Sequence, residues 1–121
     1  MKISFLSSIL LLLFLSSCGQ DYNSNFNDSG TYADLGIDPG TPLYKSYLIL
    51  QKKCFSCHAA KYASLKTDQA WVDSGEVVRG SFDSSILRNV LINYGGSMPK
   101  SPISALTDAE VATLKEWVDG L

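Results

Sequence analysis

The feature that most constrains this chain is a short run near its middle, Lys-Cys-Phe-Ser-Cys-His-Ala at positions 53–59. The run contains two of the three cysteines and the only histidine of the sequence. Taken alone, the spacing Cys54-x-x-Cys57 followed by His58 fits a redox dithiol, half of a zinc site, or another cysteine-dependent attachment. These sites need different surroundings, so the rest of the chain has to distinguish among them.

The N-terminal segment has the features of an export signal. Lys2 precedes an apolar run from Ile3 to Leu15, which is shorter than the roughly 20 residues that span a bilayer. The four residues Leu15-Ser16-Ser17-Cys18 resemble a bacterial lipobox, in which the cysteine is lipidated and becomes the mature N-terminus. The sequence therefore predicts a lipoprotein signal peptide at residues 1–17 and a lipid anchor at Cys18.

The next segment, residues 18–40, is rich in Asn, Asp, Ser and Gly and has no apolar periodicity. Such a composition predicts a flexible linker that holds a domain of residues 41–121 above a membrane surface. The expected location is lipid-anchored and periplasm-facing, and Gly19 in place of aspartate slightly favours the outer membrane. With 10 basic against 12 acidic residues and no basic run, nucleic acid is not an expected partner.

Helix signals dominate the segment after residue 40, and no strand alternation accompanies them. Thr41-Pro42 predicts a helix start, with the helix running up to the cysteine motif. Thr107 and Glu110 form a capping box for a last helix that ends near Gly120. A short middle helix is predicted after Ser84 or Ser85, ending at the Gly95-Gly96 pair, with one apolar face made by Ile86, Leu87, Val90 and Leu91.

Three short helices in about 80 residues make a thin core, and domains of this size often need an additional staple. A disulfide between Cys54 and Cys57 would close too small a loop to help much. The sequence therefore predicts an all-α domain whose centre is filled by something other than its own side chains.

The alternatives for the motif fit this context unequally. A redox dithiol places its cysteine at a helix N-terminus, whereas here a helix already runs into Cys54 and no βαβ pattern surrounds it. A structural zinc site needs four ligands, usually as two spaced pairs, and no second Cys or His pair follows. The third possibility is c-type haem attachment. Cys54 and Cys57 would then form thioether links, and His58 would be an axial iron ligand.

The candidate for the sixth iron position is Met98, the only methionine after the initiator. It lies in the loop Tyr94–Pro102, between a glycine pair and Pro99, where a helix cannot form. An isolated methionine often serves as core filler, but such a residue would more often lie on a helix face. Met98 is therefore predicted to ligate iron opposite His58.

Taken together, residues 41–121 resemble the small monohaem class I cytochromes c. The resemblance rests on the cysteine–histidine motif, the Met98-Pro99 loop and a last helix with Trp117, in the family's order. It implies an all-α fold of three or more short helices wrapped around one covalently attached haem c. In that family the first and last helices cross beside the haem with an aromatic residue at the crossing, and Tyr47 and Trp117 are the matching candidates.

Two details of the family pattern are less well matched. Many members have a Gly-Pro shortly after the motif whose carbonyl orients the ligand histidine, but residues 59–71 contain no proline, so the sequence identifies no such acceptor for His58. Trp71 and Arg79 are candidates for contact with the haem propionates. The alternatives, a buried tryptophan and a solvated arginine, remain open.

Iron held by His58 and Met98 has both axial positions filled, which predicts a one-electron carrier rather than an enzyme. A thioether ligand and burial both raise the reduction potential. The expected partners are redox proteins that the sequence does not identify. The alternative is a haem protein that binds or senses small ligands, which applies if Met98 is not a stable ligand.

Overall fold

The computed structural model describes residues 35–121, and within that range the regular secondary structure is helical, with only two isolated bridge pairs and no β-strand. The all-α prediction is confirmed for this part of the chain. The predicted signal peptide, the predicted lipid-anchor residue Cys18 and most of the predicted linker lie outside the described residues. The elements are α1 (Pro42–Tyr62), α2 (Asp68–Asp73), α3 (Ile86–Asn89) and α4 (Asp108–Asp119), with 3-10 turns at Phe82–Ser84 and Ile92–Tyr94.

Helix α1 begins where the sequence predicts. The Thr41 side chain accepts a hydrogen bond from the Tyr44 backbone N–H at 3.3 Å, and Pro42 occupies the first turn. The helix does not stop at the cysteine motif but continues to Tyr62, with an interruption at His58, whose φ of −120° and ψ of 17° are not helical. The motif is thus the place where one helix breaks and a second short one follows.

Helix α4 also begins as predicted. The Glu110 N–H donates to the Thr107 hydroxyl at 3.2 Å, and the Thr107 N–H donates to the Glu110 carboxylate at 2.9 Å. These reciprocal bonds form the capping box. The helix ends at Gly120.

The prediction for the middle helix is wrong in its extent and in its apolar face. Helix α3 has four residues, so it cannot present a continuous stripe over two turns. Leu87 and Leu91 are buried, whereas Ile86 is 52% exposed and Val90 is 37% exposed. Leu91 already has extended backbone angles, which turns it away from the face that a longer helix would have formed.

Helix α2 was not predicted. Thr67 caps it by accepting a hydrogen bond from the Ala70 N–H at 3.1 Å, and Asp68 lies in its first turn. Thr67-Asp68 is the sequence signal that could have identified this helix.

The core lies between α1 and α4 and includes several large aromatic side chains. Tyr47 on α1 and Trp117 on α4 are 1% and 2% exposed, as expected of residues at the centre of the domain, and Trp71 of α2 is fully buried. The Trp117 indole donates to Asp68 at 2.8 Å, and the Tyr47 hydroxyl donates to the Ala63 carbonyl at 2.9 Å. Each buried polar atom of these rings therefore has a partner.

The packed region extends to residues before Thr41, the predicted domain boundary. Ile37 is buried in the core and Leu35 packs against it. Their side chains add apolar surface to the packed region. Residues 35–121 contain no helix that is both long enough and apolar enough to cross a membrane.

Candidate functional site

The cysteine–histidine motif lies in the second half of α1. Cys54 and Cys57 are three positions apart and therefore lie on the same side of the helix. Within residues 35–121 both thiols are free; Cys54 is partly buried and Cys57 is exposed. His58, directly at the break in the helix, is partly buried. Helix α1 thus carries two free thiols and an imidazole within five consecutive positions.

The protonation of Cys54 bears on the redox-dithiol alternative. Burial raises the pKa of the Cys54 thiol to about 11, with only partial compensation by the positive charge of Lys53. At neutral pH a thiol with this pKa is ionised in about one molecule in 10,000. A dithiol that attacks disulfides needs a stabilised thiolate, so the environment of Cys54 is unfavourable for that chemistry.

Aromatic rings surround the buried side of the motif. The His58 ring lies 5.5 Å from the Tyr62 ring, and the Tyr62 ring lies 5.3 Å from that of Trp71, measured between centroids. Phe55, inside the motif, packs edge-on against Tyr47 at 5.1 Å. Sequence reasoning missed Phe55 and Tyr62 as neighbours of the site, although Tyr62 follows His58 by one helical turn.

Met98 is partly buried and lies in the predicted loop, but its backbone is paired rather than irregular. Its N–H donates to the Val90 carbonyl at 2.8 Å, and its carbonyl accepts from the Ile92 N–H at 2.7 Å. These two bonds form a short parallel pairing in which Met98 lies opposite Leu91. The methionine backbone is thereby anchored to the chain that follows α3.

The glycine pair makes this pairing possible. Gly95 has a φ of +84°, in the left-handed region that favours glycine. At Gly96 an added Cβ would lie 2.2 Å from the carbonyl carbon and oxygen of Val90. The chain before Met98 therefore passes so close to Val90 that a side chain has no room.

The segment paired with Met98 exposes apolar side chains. Val90 and Ile92, which bond to the Met98 backbone, are 37% and 47% exposed, and Ile86 and Tyr94 are also exposed. Large apolar side chains grouped on a surface typically mark a binding site for an apolar molecule or partner.

Two further sequence candidates are engaged elsewhere. The Trp71 indole donates to the Leu65 carbonyl at 2.9 Å, and Arg79 donates to Gln69 at 2.7 Å and to the Leu121 carbonyl at 3.3 Å. Both side chains donate to acceptors within the protein, which does not support contact with haem propionates. The alternatives of a buried tryptophan and a surface arginine describe them better.

The part of the chain from Leu35 onward contains no group of three or more His, Cys, Asp or Glu side chains that could hold a metal ion. The zinc alternative thus has no ligand set there.

Comparison of the chain with protein-family models, with curated proteins and with solved structures found no match. A functional interpretation therefore depends on the residues themselves and on their geometry.

Proposed function

We propose that this protein is a monohaem c-type cytochrome of class I that carries single electrons and is not an enzyme. Cys54 and Cys57 form the thioether links to haem c, and His58 and Met98 are the axial ligands. The observation that carries the proposal is the run of two free thiols and an imidazole on one helix. Burial raises the pKa of the Cys54 thiol, which is unfavourable for the alternative of disulfide exchange.

The fold is consistent with this assignment. The first and last helices of the domain pack together, and the aromatic residues Tyr47 and Trp117 are buried in the core that they form. The domain's own side chains form its core, whereas apolar side chains on the segment that anchors Met98 remain exposed. A porphyrin bound between His58 and Met98 would add apolar contacts to those of this core.

The chain's own residues then determine what the site can do. When bound, haem supplies one-electron exchange at its iron. The imidazole of His58 and the thioether of Met98 would both hold the iron, which would leave no open position for a substrate. The thioether of Met98 favours the reduced state and raises the reduction potential relative to a second histidine. This selects electron transfer as the activity.

The N-terminal residues complete the proposal. Cys18, which lies outside the described residues, is the lipid anchor, and the segment after it tethers the cytochrome domain to a bacterial membrane on the periplasmic side. Such a placement suits a carrier that exchanges electrons with other exported redox proteins. Bacterial c-type haem is attached outside the cytoplasm, so this location also permits covalent haem attachment.

Covalent haem is tested on the full chain, expressed in a bacterium that exports proteins and matures c-type cytochromes. Haem staining on a denaturing gel should label the wild type, because thioether bonds survive denaturation. The double variant Cys54→Ala, Cys57→Ala should lose the label. Ser56→Ala, between the two cysteines, is the matched control and should keep it. An unlabelled wild type would exclude the proposal.

The carrier role is tested by the optical spectrum of the same protein in both redox states. Methionine bonded to ferric haem gives a weak band at the red edge of the visible spectrum, and Met98→Ala should abolish it. If the wild type lacked this band and its ferrous form bound carbon monoxide readily, the protein would instead be a ligand-binding haem protein.

A further inference from the structure

Lys53, immediately before the first cysteine, is a buried charge. Its side chain is only 5% exposed, although lysine is rarely buried without partners. Its ammonium group donates to the Ser104 carbonyl at 3.2 Å, to the Ser104 hydroxyl at 2.8 Å and to the Ala105 carbonyl at 3.1 Å. The Glu110 carboxylate lies 3.6 Å away. All three donor positions of the ammonium group are therefore used.

The acceptors of Lys53 lie at the end of the segment that begins with Met98. This segment, residues 98–106, is here called the Met98 loop. Its first residue is paired with Val90 and Ile92 through two backbone hydrogen bonds. At its last residue the Asn93 side chain donates to the Leu106 carbonyl at 2.9 Å. The loop is thus closed at both ends, and Lys53 ties its far end to α1.

We propose that Lys53 is a positioning residue for the sixth iron ligand: it holds the Met98 loop against the helix that carries the haem attachment motif. This inference rests on the proposed function, since it requires Met98 to ligate iron. The lysine touches neither the methionine nor the motif histidine in this role. It acts by restraining the loop, so that the thioether stays within reach of the iron.

The physical basis is the directness of the link. Lys53 is covalently adjacent to Cys54, so its ammonium group joins the attachment site to the loop through one side chain. Hydrogen bonds from a charged donor are stronger than neutral ones. Removing the ammonium group would also leave the Ser104 and Ala105 carbonyls without this donor. The loop would then move away from α1 more often, and Met98 would leave the iron more often.

The experiment measures how readily imidazole replaces Met98 on the iron of the ferric holoprotein. The replacement is monitored by the loss of the methionine band. Imidazole binds only when the methionine is displaced, so its apparent affinity reports the displaced fraction. Lys53→Met keeps a side chain of similar length and removes the charge. It should bind imidazole about tenfold more tightly than the wild type, a change of about 1.4 kcal/mol.

Two controls separate loop restraint from other effects. Lys52→Met removes the exposed neighbouring charge and should leave the imidazole affinity within about twofold of the wild type. Leu114→Ala removes a fully buried core side chain on α4, so it lowers global stability while leaving the hydrogen-bonding groups of Lys53, Ser104 and Ala105 unchanged. It should also leave the imidazole affinity unchanged. If Lys53 acted only through global stability, Leu114→Ala would tighten imidazole binding as Lys53→Met does.

A second variant keeps the proposal testable if Lys53→Met fails to accumulate. Asn93→Ala removes the other side-chain tether of the loop and should tighten imidazole binding in the same direction, by about threefold. Wild-type affinity in Lys53→Met would overturn the role of Lys53. Wild-type affinity in Asn93→Ala would overturn the premise that side-chain tethers of the Met98 loop restrain Met98. A wild type without the methionine band would instead overturn the ligation of Met98 itself, and this inference with it.

Discussion

Replacing Gly96 with alanine should destabilise the protein far more than the same change at its neighbour Gly95. The alanine Cβ at position 96 would lie 2.2 Å from the carbonyl carbon and oxygen of Val90 and 2.7 Å from the Asn89 carbonyl oxygen. Ordinary contacts of this kind begin near 3.4 Å, and the obstructing atoms are backbone rather than a flexible side chain. The two chain segments must therefore separate by about 1 Å.

That separation disrupts the pairing that holds Met98. The Gly96 N–H donates to the Leu91 carbonyl at 2.9 Å, and the Met98 N–H donates to the Val90 carbonyl at 2.8 Å. Overpacking typically costs about 1–3 kcal/mol, and each weakened hydrogen bond adds about 1 kcal/mol. The expected loss in free energy of unfolding for Gly96→Ala is therefore about 3–5 kcal/mol.

Gly95→Ala is the matched control, since it makes the same chemical change one residue away. Gly95 has a φ of +84°, but an added Cβ there meets no atom within 4 Å. The cost is only that of placing a non-glycine residue in the left-handed region, about 1–2 kcal/mol. The two substitutions thus separate a steric requirement from a conformational one.

The assay is urea unfolding of the full chain and both variants, followed by far-ultraviolet circular dichroism. The difference of about 2 kcal/mol between the variants is well resolved by midpoint shifts. In the ferric holoprotein, Gly96→Ala should also weaken the methionine band more than Gly95→Ala does. Equal stability of the two variants would refute the reasoning that Gly96 is required by close backbone approach.

Two further predictions address the tether and acid stability. Cys18→Ser should release the protein from membranes without changing its haem content, and a variant that stayed fully membrane-bound in cell fractionation would contradict the lipid-anchor proposal. The Lys115 hydrogen bond and the Phe82 N–H lower the pKa of the Asp119 carboxyl. The stability that this carboxylate contributes is present above the ordinary aspartate pKa and is lost as the pH falls below about 4. Asp119→Asn keeps an oxygen for the Phe82 N–H but removes the charge, so the difference between its urea midpoint and that of the wild type should shrink on going from neutral pH to about pH 3. An equally large difference at both pH values would show that Asp119 is not the acid-sensitive group.

The helix boundaries that the sequence predicted correctly depend on short-range hydrogen bonds. The Thr41 hydroxyl accepts a hydrogen bond from the Tyr44 N–H, and Thr107 and Glu110 form reciprocal hydrogen bonds. Each signal is therefore contained within four consecutive residues. Such patterns can be read directly because no distant part of the chain has to be known. The same logic applies to α2, where Thr67 accepts a hydrogen bond from the Ala70 N–H three positions later.

The faces of the short elements could not be predicted in this way. Ile86 and Val90 are spaced for one face of a helix, yet both are exposed because α3 ends after a single turn. Whether a four-residue helix continues depends on what the following chain packs against. Here the following chain leaves the helix to pair with Met98, which local periodicity does not reveal.

The sequence by itself determined which atoms are available for the proposed chemistry. With one histidine and one methionine after the initiator, it left a single pair of candidate axial ligands. The tertiary structure decided how those atoms are held. The acceptors of the buried Lys53 ammonium group are 51 and 52 positions away in the chain. Glycine is required at position 96 because the Val90 backbone lies too close to leave room for a side chain. The sequence determines which side chains are present. The contacts that hold them in position exist only after distant segments of the chain have packed together.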